Sequence, residues 1–201
     1  MPPYPWPVDP AATSNLLGAD ASSYLFWATW AVEGLHYIDD ASQDSERKRW
    51  SQAGHNPFTA VDLSNARSAA ATAVTALDLC AAALGVRHQV QVKSNVPGAV
   101  HSIRSLKDAK SGLSCNGCRQ WMSSVHDEDY QTLLDARHPL VHRIAKQNAY
   151  VTLGSPDLGY ISLNLGSPPK EVTTRQIIDH ARDTATRHVV ALLHAIQAGD
   201  I

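Results

Sequence analysis

The stretch TAVDLSNARSAAATAVTALDLCAAAL, residues 59–84, decides the fold. Val61, Leu63, Ala66, Ala70, Val74, Leu77, Cys80, Ala81 and Leu84 recur at helical spacing, and Gly85 follows as a C-terminal stop. So many alanines keep the helix thin and let a neighbouring helix approach closely, which favours a tight antiparallel pair.

The partner lies upstream. Leu16, Leu17, Tyr24, Trp27, Ala31, Leu35 and Ile38 form an amphipathic pattern over residues 14–41, with Thr13 or Ser14 placed to cap its start. Residues 42–57 turn polar and charged and read as a loop or a frayed helix end. Residues 1–12 are proline-rich and short of core material, so they read as an extended arm.

Downstream, His88, Val90 and Val92 alternate with polar residues as a short strand does, and Pro97 opens a possible short helix to Ala109 with Val100, Ile103 and Leu106 inward. A third helical region spans residues 116–147. Asp127 can cap a new start within it, and Pro139 must kink the helix or begin another. Tyr150–Leu153 and Tyr160–Leu163 flank a stretch with Gly154, Pro156, Asp157 and Gly159, a hairpin signal. The last helix covers Thr173–Ala198, with Ile177, Ile178, Ala181, Ala185, Val189, Leu192, Leu193 and Ile196 on one stripe. The expected fold class is therefore all-α: an up-and-down four-helix bundle, residues 13–201 as a single domain, with a short β-hairpin insertion before the last helix.

Composition agrees with a globular chain: 201 residues, 44% hydrophobic, 18% charged, net charge -2. That charge argues against a generally basic nucleic-acid coat, though not against a local basic patch. Arg87, Lys93, Arg104, Lys107 and Lys110 face only Asp108 nearby, which is either a solvated face or a path for a phosphate backbone. No apolar run approaches the ~20 residues of a membrane span, and the N-terminus lacks the pattern of a secretory signal. Three cysteines form no disulfide framework, which suggests a reducing, cytoplasmic setting. Gly-rich phosphate loops, nucleophile elbows and His-Glu-x-x-His helices are all missing from the sequence.

The stretch that carries chemistry is Ala136-Arg137-His138-Pro139-Leu140-Val141-His142-Arg143. A guanidinium offers a fixed fork of donors suited to a phosphate, and an imidazole exchanges protons near neutral pH. Arg137 and His142 are five residues apart, roughly 140° around a straight helix, whereas His138 and His142 share a face. The Pro139 kink, or the pooling of two chains' motifs across a dimer interface, would bring arginine and histidine together. Other Arg–His pairs occur in the chain, but only Arg137 has a polar residue next to it and then a three-residue spacer. A surface reading stays open, in which Arg137 and Arg143 pair with Asp127, Glu128 or Asp135.

This stretch resembles the signature of the HEPN family (higher eukaryotes and prokaryotes nucleotide-binding domain): an arginine, a polar residue, a short spacer and a histidine. Arg137, His138 and His142 match those positions. The resemblance implies a helical bundle and a metal-independent endoribonuclease, a toxin or defence protein. Its catalytic residues would be Arg137, His138 and His142, with Arg143, Arg104 and Lys107 binding substrate. RNA would be the substrate, a homodimer the working form and an antitoxin protein a possible partner. No cofactor and no membrane are implied. The alternative is a non-catalytic bundle that binds nucleotide, RNA or a partner protein through the same pocket.

Three further features stand apart. Cys115-Asn116-Gly117-Cys118 has the spacing for two thiolates on one zinc, with Gly117 permitting a tight turn. Closure needs two more ligands, for which Cys80, His88, His101 and His126 are candidates, and without them the pair is two ordinary cysteines at a helix start. His180, His188 and His194 read as packing residues or partners of nearby acids, with Arg182 and Arg187 as a basic rim. Tyr24, Phe26, Trp27 and Trp30 read as core or as a dimer face rather than as a base-stacking platform.

Overall fold

A computed structural model describes the backbone of residues 4–51, 60–92, 96, 98–109, 112–142, 150–151, 161–165 and 170–201. It describes side chains for 4–44, 62, 64–92, 96, 98–109, 112–137 and 172–201. The chain is mostly helical. Its elements are α1 (Pro10–Asn15), α2 (Ala19–Ser51), α3 (Ala60–Arg87), α4 (Ile103–Asp108), α5 (Asn116–Ser124), α6 (Asp127–His142), β1 (Tyr150–Val151), β2 (Ile161–Leu165), β3 (Lys170–Thr173) and α7 (Thr174–Gln197).

The alanine-rich helix is central. α3 packs against α2, α6 and α7. It buries Ala66, Ala69, Ala70, Ala73, Ala76, Ala81 and Ala83 with Val74, Leu77, Cys80 and Leu84. A helix apolar on most sides belongs in an interior, and short side chains let three neighbours approach at once. Ser64–Arg87 is also long and apolar enough to cross a membrane, although the sequence reading found no such run; here it is the mostly buried core helix.

α3 does not stop at Gly85. It runs on to Arg87, and a Cβ at Gly85 would meet His101 Cδ2 at 2.5 Å. This glycine makes room for a buried imidazole rather than ending the helix. His101 Nε2 donates to the Val90 carbonyl at 3.0 Å and Nδ1 accepts from Ser105 Oγ at 3.2 Å. Val90 therefore serves as a loop acceptor, and the segment after α3 is not the expected strand. The short helix that follows starts at Ile103, behind a Ser102–Ser105 capping box, not at Pro97.

The first helical region also differs from expectation. Asp9 caps a separate α1, with Pro10 in its first turn, and α2 continues to Ser51, the helical one of the two readings of the polar stretch after residue 41. The buried stripe of α2 is Ala21, Leu25, Ala28, Val32 and Leu35, whereas Leu16, Trp27 and Trp30 are each more than half exposed. Of the expected stripe Leu17 and Leu35 are buried and Tyr24, Ala31 and Ile38 pack half-buried against the core, so only Leu16 and Trp27 depart from it. Against a wall of alanines, the slim Ala21 and Ala28 pack closer than an indole can. The N-terminal arm is docked at residues 4–6. Glu33 accepts from the Tyr4 backbone N–H at 2.9 Å and from Trp6 Nε1 at 2.6 Å, and the Tyr4 ring stacks on His36.

α7 follows its sequence closely. Thr173 caps it in a box with Gln176, and all eight expected apolar positions are buried. Before it, β1, β2 and β3 pair antiparallel in that order, with Tyr150 opposite Ser162 and Leu163 opposite Val172. The third strand was not part of the expected hairpin.

Candidate functional site

The arginine–histidine motif lies at the end of α6, which is helical from Asp127 through His142 with Pro139 inside it. Positions 137 and 142 therefore lie on one helix, about 140° apart around its axis. The side chains of His138 and His142, and all of Arg143, fall outside the described residues. Arg137 is exposed, and no hydrogen bond or ion pair joins it to the described residues. Of Asp127, Glu128 and Asp135, the acids read as its partners, Asp127 receives Lys107 and Asp135 receives Gln131, and none is bonded to Arg137.

A part-buried polar contact joins α3 and α6. Asp78 Oδ1 accepts from Tyr130 Oη at 2.8 Å and from the Ile103 N–H at 2.9 Å. Burial pushes the Asp78 carboxyl above its ordinary value despite these bonds and the charge of Arg137. Burial, and next the Asp78 charge, push the Tyr130 phenol up, while Arg104 and Arg137 pull it down.

The other expected substrate contacts are engaged. Lys107 Nζ donates to the Val125 carbonyl at 2.5 Å and to Asp127 Oδ1 at 2.7 Å, and Arg104 donates to Gln131 Oε1 at 3.0 Å. They border a cavity of about 530 Å³ whose rim also carries Asp108, Asp127 and Glu128. An anion there would meet three carboxylates beside two cations, which is poor electrostatics for a phosphate on its own.

The structure adds a third residue to the cysteine pair. His88 follows α3, Cys115 is the N-cap of α5, and Cys118 sits in that helix's first turn. Their ligating atoms all lie within 4.8 Å of one another. Cys118 Sγ is 3.1 Å from His88 Nε2, and the Cys118 N–H donates to Cys115 Sγ at 3.1 Å. Cys115 Sγ–H donates to the Asp200 carbonyl at 3.2 Å. Gly117 gives room for this approach of the chain after α7, because a Cβ there would strike the Asp200 carbonyl. Burial, then the neighbouring Cys115, holds the Cys118 thiol above its ordinary value; burial, then Arg87, holds His88 below its own. Of the other ligands considered, Cys80 is fully buried in the core and His101 is bound to Val90 and Ser105.

A further cluster was missed by sequence reading. Asp39 of α2, 5% exposed, receives both Arg175 and Arg182 of α7. Burial alone would raise its carboxyl, but the hydrogen bonds of Arg175, Gln43 and Arg182 outweigh it and hold it below its ordinary value. Arg182 is therefore a strut between helices, not part of a basic rim. Arg187 pairs with Asp129 at 3.3 Å, and His180 lies 3.8 Å from the same carboxylate. Phe26, Trp27 and Trp30 form an exposed aromatic patch on α2, with ring centroids 5.8–6.2 Å apart.

No protein-family model, curated protein or solved structure matches this chain.

Proposed function

We propose that this protein is a HEPN-like, metal-independent endoribonuclease built on a four-helix bundle of α2, α3, α6 and α7. One observation carries the reading: Arg137 is presented to solvent late in α6 without a described acidic partner, five residues before His142 on the same helix. A guanidinium left in that state is available to a phosphodiester.

In the proposed reaction Arg137 binds the non-bridging oxygens of the scissile phosphate. The ribose 2′-oxygen attacks phosphorus as the bond to the 5′-oxygen breaks, giving a 2′,3′-cyclic phosphate and a 5′-hydroxyl. His142 moves the proton, taking it from the 2′-hydroxyl or giving it to the leaving oxygen, and His138 orients the pair. Because 140° of helix separates positions 137 and 142, the arginine of one chain works with the histidine of a second across a homodimer. A cytoplasmic RNA and an antitoxin protein fit this chemistry as substrate and partner.

The test is cleavage of single-stranded RNA with EDTA present. Wild type should cleave, and His142→Ala should lose about 100-fold or more, the usual scale of a general acid or base. Arg137→Ala should lose activity comparably, and a 2′-deoxy substrate should be inert. RNA binding without cleavage by wild type would establish the non-catalytic bundle instead, and unimpaired cleavage by His142→Ala would overturn the assignment.

A further inference from the structure

The His88, Cys115 and Cys118 cluster shares no residue with the arginine–histidine motif: it joins the end of α3 to the start of α5, whereas the motif lies late in α6. It plays no part in the proposed cleavage, so its function is a separate question.

We propose that His88, Cys115 and Cys118 form a zinc site that staples the end of α3 to the start of α5. Three observations support this. First, the ligand types are the thiolates and imidazole that zinc selects, and they come from two segments far apart in sequence. Second, the spacing fits. Zinc–sulfur and zinc–nitrogen bonds of ~2.3 and ~2.0 Å at tetrahedral angles put ligand atoms roughly 3.5–3.8 Å apart. Here all three atoms lie within 4.8 Å of one another, and the Cys118 Sγ to His88 Nε2 separation is 3.1 Å. An ion enters by spreading that pair about half an ångström.

Third, the surroundings prepare the ligands. The Cys118 N–H already donates to Cys115 Sγ, a bond that stabilises a thiolate better than a thiol. His88 presents Nε2 to Cys118 Sγ, so the ring nitrogen that would ligate zinc already faces the thiol. On binding, both thiols release their protons to solvent, the histidine enters neutral, and two thiolates balance the charge of Zn²⁺. The Cys115 thiol gives up its hydrogen bond to the Asp200 carbonyl, and the fourth position falls to water.

The experiment uses the full chain, reduced with a phosphine and checked for free thiols so that a Cys115–Cys118 disulfide is not mistaken for lack of affinity. It is loaded with Zn²⁺ and dialysed. Elemental analysis should find about one zinc per chain. Cys118→Ser and His88→Gln should each lose it, while Cys80→Ala keeps it. Titration of the unmodified protein with Co²⁺ should give thiolate charge-transfer bands and the visible bands of a tetrahedral ion, a readout independent of whether any variant folds. Zinc at about a hundredfold above its Kd should raise the wild-type melting temperature by roughly 5–10 °C. The proposal is overturned if reduced wild type takes up neither metal, or if the bound metal survives both Cys118→Ser and His88→Gln.

Discussion

His188 shows how one residue links burial to pH. The residue is 3% exposed, and Nε2 has no hydrogen-bond partner among the described residues. Burial, then the Arg187 charge, lowers its pKa to about 4. As pH falls through about 6.5 the unfolded chain takes up a proton here and the folded chain does not, so this stability is full above that pH. It drains away between about pH 6.5 and 4, by up to about 3 kcal/mol. Urea titrations across that window should show the decline in wild type and a flatter profile in His188→Leu; equal slopes would refute the assignment. Gly85 gives a second test at this scale. Gly85→Ala pushes a methyl into the His101 ring and should cost about 1–3 kcal/mol in chemical denaturation. The same change in a His101→Ala background should cost much less, because the obstructing ring is gone. A residue count cannot reveal either property, since both depend on what lies across a helix interface.

Among the elements, α7 was the most legible and α2 the least. α7 has a cap, a clean stripe and one buried face, so local pattern and burial agree. In α2 the expected stripe holds at Leu35 and, half-buried, at Tyr24, Ala31 and Ile38, but its centre lies at Ala21, Leu25, Ala28 and Val32 and Trp27 is left in solvent. What fastens α2 to α7 is also polar. Asp39 stands between two arginines that also pair with Asp179 and Asp183, so Asp39→Ala removes the acceptor they share across the helices without leaving either cation unpaired and should cost about 2–3 kcal/mol, read from the denaturation midpoint. A loss below about 1 kcal/mol would mean that solvent screens the cluster as it does a surface pair. Thr173→Ala should cost less, about 1 kcal/mol, as the loss of one helix cap does.

At the scale of the molecule, α2 and α6 both pack on α3 and α7. The exposed aromatics of α2 and the Arg137 motif of α6 therefore belong to different helices of the assembly. Pooling of motifs across a two-fold axis makes a sharp prediction. Mixed Arg137→Ala and His142→Ala chains, each inactive alone, should recover about one quarter of wild-type cleavage, because half the dimers are mixed and each of those holds one complete site. No recovery, or a wild type that sediments as a 21.8 kDa monomer, would rule out the shared site and require arginine and histidine to meet within one chain.

Helical class and the burial of α3 and α7 were determined by the sequence alone, because propensity and amphipathic period act over a few neighbouring residues. The choice of which face of α2 turns inward, the meeting of Asp39 with Arg175 and Arg182, and the convergence of His88 on Cys115 and Cys118 were decided only by tertiary structure. Each joins residues 27 or more positions apart, and no local periodicity records where two such segments will meet once the alanine surfaces have closed.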